Sequence, residues 1–400
     1  MLDPSPEWGL LASCENHRMS AASPDPSDAP GPLDPGTDPA PRRAEHVAHL
    51  PGDLGRLGEE LDAARPPRLT PGRAFGGLLS AALVIALLGW ALPWAAGASW
   101  AEIGSTLMTL PVWAVPAMAT LGAGVLLLEA VTVRAALPGS RWSAALLAHP
   151  SAAATSLAVP GGTVIGLGLM GWILRRSGLA VPVILTGIIA ASLAEMVLTS
   201  VLIPLLGMVA YALSSVLAPV DVALPGALWA AVLAVLGALL ALVLTLVMLR
   251  RSVMTALLGL FPEQLTPELS RTILSQRDVL VEMLRRRWFP LLAPTLAARV
   301  LQWAALVLAI EAVGAEVPWL LAVAIFALGR VLSLVPLTPG GAGVTEAVGA
   351  AALVALGVAA ADAAAAMLLL LITMLAVPLL AGALTTVLAM TLAPDRRPTA

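Results

Sequence analysis

The feature that most limits the fold of this chain is a long apolar region, from about residue 74 to residue 392, that the sequence Pro-Gly-Gly interrupts twice. The first break is Pro160-Gly161-Gly162, and the second begins at Pro339-Gly340. Because proline and glycine interrupt helices, a chain that breaks its helix at membrane depth must satisfy the freed backbone groups with protein or water. Such breaks usually line a cavity. Two matching breaks therefore predict a membrane-embedded pathway that is built from an internal repeat.

The composition places the chain among integral membrane proteins. Of its 400 residues, 59% are hydrophobic and 12% are charged, and the mean hydropathy is +0.91. Several apolar runs exceed the ~20 residues that a helix needs to cross the hydrocarbon layer. The sequence therefore predicts an all-α integral membrane protein, a helical bundle in which the two breaks form re-entrant hairpins related as an inverted repeat. The alternative is that each break is a tight turn between ordinary kinked helices.

The apolar pattern divides the chain into three regions. Residues 1–72 are rich in proline, glycine and aspartate without apolar periodicity, which predicts a disordered cytoplasmic tail. Residues 73–393 are predicted to form a polytopic transmembrane domain, and residues 394–400 a short cytoplasmic C-terminus. Within the domain we expect about six full spans, two re-entrant hairpins and a polar cytoplasmic loop at 250–289. The expected spans are 74–96, 111–133, 180–203, 225–249, 290–313 and 362–392, and the expected hairpins are 144–176 and 318–357.

The arginines set the expected orientation. All 22 basic residues are Arg. With both termini in the cytoplasm, the arginines outside the apolar segments fall on the cytoplasmic side, which is the positive-inside pattern. The outer connections then carry only Glu102, Asp221 and Glu316. We therefore expect a multi-pass protein of the plasma membrane, whose first hairpin enters from the cytoplasm and whose second enters from outside.

The second break resembles a family signature. The run Val335-Pro-Leu-Thr-Pro-Gly-Gly-Ala-Gly-Val-Thr-Glu346, preceded by Arg330, resembles that of the lysylphosphatidylglycerol synthase transmembrane-region family, whose members are also described as flippase-like integral membrane proteins. The first break is similar to the family's looser Pro-Gly motif, and the similarity covers roughly residues 74–392. Members that make aminoacylated lipid carry a soluble transfer domain after the membrane region. Because this chain ends at Ala400, the resemblance implies the lipid-translocating module and no synthase activity.

Ionisable side chains at membrane depth mark candidate sites, because burying them unpaired is costly. Arg330 is expected to hold a lipid phosphate bidentately, together with the backbone at the start of the helix after the second break. Glu346 is expected to position Arg330 or a cationic head group, and the alternative is an Arg330–Glu346 ion pair that pins two helices. Glu195 lies mid-span and is either a proton or head-group site or a protonated acid that is hydrogen-bonded to Thr199 or to a neighbouring helix. The predicted lipid-binding residues are Arg330, Pro339, Gly340, Gly341, Gly343, Glu346, Glu195, Pro160, Gly161 and Gly162.

The other ionisable residues of the apolar region are assigned structural roles. A partner inside the protein is favoured for Arg299 over snorkelling, and Glu129 is expected to pair with Arg134, one turn away. The single cysteine, Cys14, lies in the polar tail, and His149 is isolated from the other histidines. No catalytic residues, metal site or cofactor are therefore expected.

The leading functional hypothesis is a protein that moves a phospholipid or another lipid-linked amphiphile between the leaflets of the membrane. Its expected partners are membrane lipids, either an anionic phospholipid or the lipid-linked substrate, and not nucleic acid; the pattern does not define the oligomeric state. One alternative is a membrane-embedded transferase on a lipid-linked substrate, for which Glu311 or Glu316 is the candidate carboxylate. The other is a scaffold for a partner lipid-modifying enzyme. No nucleotide-binding motif is present, so any driving force must come from gradients or partner enzymes.

Overall fold

The computed structural model describes residues 71–158, 162–217, 227–259, 267–333, 338 and 341–392. Throughout these ranges the regular structure is helical, as the sequence predicts. Four of the residues in the two breaks, Pro160, Gly161, Pro339 and Gly340, lie outside the described residues, as do the predicted tail up to residue 70 and the end of the chain from residue 393.

The described part of the chain forms a series of α-helices, numbered in chain order. They are α1 (Pro71–Ala86), α2 (Leu92–Ala96), α3 (Trp100–Met108), α4 (Ala114–Ala136), α5 (Trp142–Ala158), α6 (Gly162–Arg176), α7 (Val181–Val197), α8 (Ile203–Leu217), α9 (Ala227–Met248), α10 (Arg251–Leu258), α11 (Pro267–Ala312), α12 (Trp319–Leu332), α13 (Val344–Ala355), α14 (Ala360–Leu371) and α15 (Val377–Leu392). Within the described ranges, π-helical turns at Leu87–Ala91, Leu198–Leu202 and Ile372–Ala376 join α1 to α2, α7 to α8 and α14 to α15.

Several of these helices have the dimensions of membrane spans. Among the described residues, 4 helical stretches are long and apolar enough to cross a membrane: Ala114–Ala136, Val181–Ser214, Ile273–Ala312 and Ala360–Thr391. A further candidate is the pair Ala82–Ala96 and Trp100–Met108, whose halves meet at 92°. The chain is therefore an all-α integral membrane protein.

Each π turn has a proline just after it. Pro93, Pro204 and Pro378 each stand two positions beyond the end of a π turn. A proline ring clashes with the carbonyl four residues earlier and donates no hydrogen bond, so widening the preceding turn relieves the conflict. At the first turn, the carbonyl four residues before Pro93 belongs to Gly89, and it accepts a hydrogen bond of 2.7 Å from the Trp100 indole Nε1.

The second π turn corrects one predicted boundary. The sequence places the end of a span at residue 203, with a separate segment beginning at Pro204. In the structure, the helical run that begins at Val181 instead continues through the π turn to Leu217. The wider turn accommodates Pro204, so the proline does not end the helix.

The helices that follow the two breaks end in the same way. Gly178 (φ 97°) follows α6, and Gly357 (φ 92°) follows α13. In both caps the glycine amide donates to the carbonyl three residues earlier, and the next amide donates to the carbonyl five residues earlier. This pair of hydrogen bonds is the Schellman motif, whose left-handed residue favours glycine. The next helix, α7 or α14, begins three positions after the glycine in each case.

The polar loop expected at 250–289 is largely helical where it is described. It consists of α10 and the first part of α11. Helix α11 is 46 residues long and has a non-helical residue at Arg287 (φ −117°, ψ 21°). Pro290, three positions later, lacks the amide hydrogen that a regular turn would use there, which accounts for a kink at this point.

Small residues bring helix backbones close together around the first break. A β-carbon built on Gly162 would lie 2.3 Å from the Thr155 carbonyl oxygen, and one on Gly166 would lie 2.5 Å from that of Ala152. The helices α5 and α6 therefore pack tightly as an antiparallel pair. On another side of α5, a β-carbon on Gly382 of α15 would lie 2.2 Å from the Pro150 carbonyl oxygen. Close approach of backbones through small residues is typical of helix packing in membranes.

Candidate functional site

A cavity of about 290 Å³ lies between the two broken segments. On the side of the first break it is lined by Ser156 and Leu157, at the end of α5. On the side of the second break it is lined by Ala342, Thr345 and Glu346. The remaining wall comes from α4, α11, α12, α14, the third π turn and Pro378 of α15.

Arg299 of α11 is the most connected charge on the cavity wall. Its Nη2 donates to Glu129 Oε1 on α4 at 2.7 Å and to Glu195 Oε2 on α7 at 2.9 Å. Its Nη1 donates to Gln302 Oε1 at 2.5 Å. Only 7% of the Arg299 side chain is exposed. The internal partner predicted for Arg299 is thus confirmed, and it consists of carboxylates from two other helices.

The pairing predicted for Glu129 is wrong. Arg134 does not meet this carboxylate; its guanidinium carbon lies 4.2 Å from the centre of the Trp142 ring. The physical reason is helix geometry, because five residues rotate the side chain by roughly 140° around the helix axis. Glu129 therefore points toward α11, where Arg299 lies, while Arg134 points elsewhere.

Arg330 of α12 joins the same set of charges through Glu195. The Arg330 Nη2 atom lies 3.5 Å from Glu195 Oε1, and the Thr199 hydroxyl donates to that oxygen at 2.6 Å. This Thr199–Glu195 hydrogen bond belongs to one of the two alternatives given for Glu195, and the structure shows the bond beside the two arginines. We call Glu129, Glu195, Arg299 and Arg330 the charged network.

Glu346 has a different partner from the one expected. Its Oε2 accepts a hydrogen bond of 2.5 Å from the backbone amide of Gly343, so it caps its own helix, α13. Among the described residues, the ion-pair partner of Arg330 is Glu195, and no Arg330–Glu346 ion pair is formed. The helix begins directly after Gly343, and this places Glu346 in the third helical position, from which an acid can reach back to the cap.

The glycines of the second break hold the backbone in a conformation that other residues disfavour. Gly341 has φ 77° and Gly343 has φ 91°, both in the left-handed region where a side chain is strained. A β-carbon on Gly341 would lie 2.8 Å from the Ser333 Cα atom, and one on Gly343 would lie 2.6 Å from the Leu87 Cβ atom. Both positions therefore require glycine for two reasons: the positive φ angle strains other residues, and no room is left for a β-carbon.

Both guanidinium groups of the charged network keep an unused donor. The Nε atoms of Arg299 and Arg330 are buried and have no hydrogen-bond partner among the described residues. The Thr338 hydroxyl, near the second break, is also buried without a hydrogen-bond partner among the described residues. Buried donors without acceptors are rare in folded proteins and call for an explanation.

The structure therefore unites part of the predicted site and adds to it. Arg330 and Glu346 line the cavity, and Glu195 reaches Arg330 from the neighbouring helix. Gly162 has a packing role against α5. Sequence reasoning missed His149, whose Nε2 lies 2.9 Å from Glu129 Oε2; its position within an apolar helix was the only signal.

The family comparison covers the same region. A family model described as the lysylphosphatidylglycerol synthase TM region matches residues 77–382, which include every residue of the charged network. The chain belongs to this family. Membership in the lysylphosphatidylglycerol synthase transmembrane-region family confirms the predicted resemblance and supports a lipid-related integral membrane protein. A search of curated proteins gives no match to the chain.

Proposed function

We propose that this protein moves a lipid with an anionic phosphate-containing head group between the leaflets of its membrane. The head group passes through the cavity while the acyl tails stay in the bilayer. The observation that carries the proposal is that the Nε donors of Arg299 and Arg330, on the wall of the cavity, are buried and have no hydrogen-bond partner among the described residues. Family membership supports the lipid character of the substrate.

Arg330 is the residue to which we assign the phosphate. Its Nη2 atom is 3.5 Å from Glu195, longer than the ~2.7–2.9 Å of a strong charge-assisted hydrogen bond. Arg299, in contrast, already uses both of its terminal nitrogens at 2.5–2.9 Å. Arg330 therefore loses weaker protein contacts than Arg299 would when its guanidinium turns to a phosphate. Its planar guanidinium can bind the phosphate through two parallel hydrogen bonds.

The size of the cavity suits a head group and not a whole lipid. Its volume of about 290 Å³ is at the low end of the roughly 300–1,000 Å³ that is usual for small-molecule sites. A phospholipid with two acyl chains is much larger than this. The tails must therefore remain outside the cavity, in the hydrocarbon of the bilayer.

The same proposal includes re-entrant hairpins related as an inverted repeat. The helix α13 has 12 residues, about 18 Å at 1.5 Å per residue, whereas the hydrocarbon layer is ~30 Å thick. Helices of this length around a break suit segments that enter and leave by the same face. The matching Schellman caps at Gly178 and Gly357 support a common origin for the two copies.

Reconstitution into liposomes tests the proposal. A fluorescent phosphatidylglycerol analogue is placed in both leaflets, and a membrane-impermeant quencher reports how fast the inner pool reaches the outside. We expect the wild-type protein to accelerate exchange over protein-free liposomes, and Arg330→Ala to reduce the rate at least tenfold. Arg286→Ala is the matched control because the Arg286 side chain is 79% exposed.

Three other outcomes would contradict the proposal in different ways. A wild-type rate equal to that of protein-free liposomes would reject translocation of this lipid class. Full activity of Arg330→Ala would place the phosphate elsewhere. Formation of a covalently altered lipid would favour the transferase alternative.

A further inference from the structure

His149 attaches a titratable group to the charged network. It lies in the middle of α5, the helix that precedes the first break, and its Nε2 is 2.9 Å from Glu129 Oε2. The other oxygen of the same carboxylate accepts from Arg299 at 2.7 Å. Through Arg299 and Glu195 the contacts continue to Arg330. An unbroken series of side-chain contacts therefore links an imidazole to the guanidinium that we assign to the phosphate.

We propose that the cavity takes up one proton with each anionic head group and that His149 is the proton-binding residue. The identity of the anion rests on the proposed function. The proton site rests on the contacts of His149 and on the charge balance of the network.

The charge balance requires a compensating cation when an anion binds. The two carboxylates of Glu129 and Glu195 are matched by the two guanidinium groups of Arg299 and Arg330, so the charged network is neutral when the imidazole is neutral. A phosphodiester brings one negative charge next to guanidinium groups that are buried in the protein, where an unbalanced charge is costly. One proton on His149 restores neutrality, and an imidazole is the side chain that ordinarily gains or loses a proton between about pH 5 and pH 8.

The contacts show where the proton would bind and how it would act. A carboxylate only accepts hydrogen bonds, so the neutral imidazole donates through Nε2 and takes up the proton at Nδ1. The imidazolium then attracts Glu129 more strongly and weakens its hold on Arg299. Arg299 turns further toward Glu195, which frees Arg330 for the phosphate. Proton binding and anion binding therefore favour each other, as linkage requires.

Few other charges surround His149. The helix α5 packs against α1, α4, α6 and α15. Between Val377 and Leu392, α15 has no ionisable side chain, and α4 brings Glu129 to the imidazole. The remaining ionisable residues on these helices are Arg73 in α1, Arg134 in α4, and Arg175 and Arg176 in α6. Across the cavity, Glu346 is the second candidate for a proton, although it is engaged by the Gly343 amide.

Calorimetry on the purified full-length protein tests the inference. Dihexanoyl phosphatidylglycerol serves as the probe and is titrated below its micellar concentration in buffers of different ionisation enthalpy. For the wild type we expect close to one proton taken up per probe bound at pH 7.5, and an affinity that falls by up to tenfold per pH unit at higher pH. His149→Gln should bind the probe with no proton uptake and no pH dependence.

The variant Glu346→Gln separates the two candidate proton sites. It should keep the proton uptake of the wild type; loss of uptake in Glu346→Gln with retention in His149→Gln would overturn the assignment. Binding without proton uptake by the wild type would overturn proton coupling and leave the proposed function intact. No binding of the probe at any pH, together with no lipid exchange in liposomes, would overturn both. Equal thermal unfolding midpoints for the variants and the wild type show that a changed stoichiometry is not a folding defect.

Discussion

Arg299 and Glu129 lie 170 positions apart in the sequence, yet their side chains meet at 2.7 Å between Nη2 and Oε1. The guanidinium is almost completely enclosed, with 7% of the side chain exposed. It also holds Glu195, so one residue of α11 fixes the positions of α4 and α7. This contact supports the fold as well as the cavity.

Replacing Arg299 should therefore destabilise the protein. We expect Arg299→Ala to lower the free energy of unfolding by about 3–5 kcal/mol, because it leaves two buried carboxylates without their partner. The thermal midpoint in detergent measures the effect. Arg286→Ala makes the same chemical change in an exposed pair with Glu282, where the loss should stay below about 1 kcal/mol. Equal midpoints for the two variants would contradict a buried ion-pair cluster.

The composition and apolar periodicity predicted the helical membrane fold, because both depend on local sequence. The start of α13 after its glycines and the Thr199–Glu195 hydrogen bond were predictable for the same reason, since each involves positions within one turn of a helix. The charged network was not predictable in full. Its members come from four helices, and one sequence contains no direct record of which helices become neighbours.

The prolines after the π turns show a case in which a local sequence rule gives the wrong expectation. From the sequence alone, a new segment is expected to start at Pro204, because proline usually interrupts a helix. The chain instead widens the preceding turn and continues to Leu217. The same combination of a π turn and a following proline occurs at Pro93, Pro204 and Pro378. The sequence shows the three prolines, but only the structure shows the π turns before them.

Two glycines with similar φ angles should respond differently to substitution. Gly343 (φ 91°) and Gly357 (φ 92°) both strain an alanine by about 1–2 kcal/mol. At Gly343 the added carbon would also lie 2.6 Å from Leu87 Cβ, whereas at Gly357 nothing lies within 4 Å. Gly343→Ala should therefore unfold at a clearly lower temperature than Gly357→Ala. Indistinguishable melting curves would mean that Leu87 moves aside without cost.

Water should reach the cavity wall but not the lipid-facing surface. In a Cys14→Ser background, which removes the single cysteine, Ser156→Cys should react with a charged thiol reagent because Ser156 lines the cavity. Leu240→Cys should be protected in liposomes, although Leu240 is 68% exposed in the protein alone, because hydrocarbon covers it there. The labelling rates of the two cysteine variants, measured by the mass shift of the protein, test this expectation. A protected cysteine at position 156 would contradict a hydrated cavity.

The contact between α5 and α15 can be tested by replacing Gly382 with alanine, with Gly237 of α9 as the comparison. The two substitutions should change the free energy of unfolding in opposite directions. At Gly382 a β-carbon would lie 2.2 Å from the Pro150 carbonyl oxygen and 2.3 Å from Ala154 Cβ, and overpacking of this kind costs about 1–3 kcal/mol. At Gly237 nothing lies within 4 Å, so alanine should stabilise the helix by about 0.5–1 kcal/mol. Urea unfolding in detergent measures both changes. Stabilisation by Gly382→Ala would show that the two helices are not in backbone contact.

The π turn at Ile372–Ala376 determines the direction in which the side chains of α15 point around the helix axis. An extra residue in one turn offsets the later side chains by about 100° relative to an uninterrupted α-helix. Thr373, within this turn, donates to the Met118 carbonyl at 2.8 Å, and Pro378 lies on the cavity wall just beyond it. Deleting a single residue there would leave an apolar helix of nearly the same length, yet it would swing Pro378 off the wall and Gly382 away from α5. At this point the number of residues, more than their hydrophobicity, keeps α15 in register with the cavity wall.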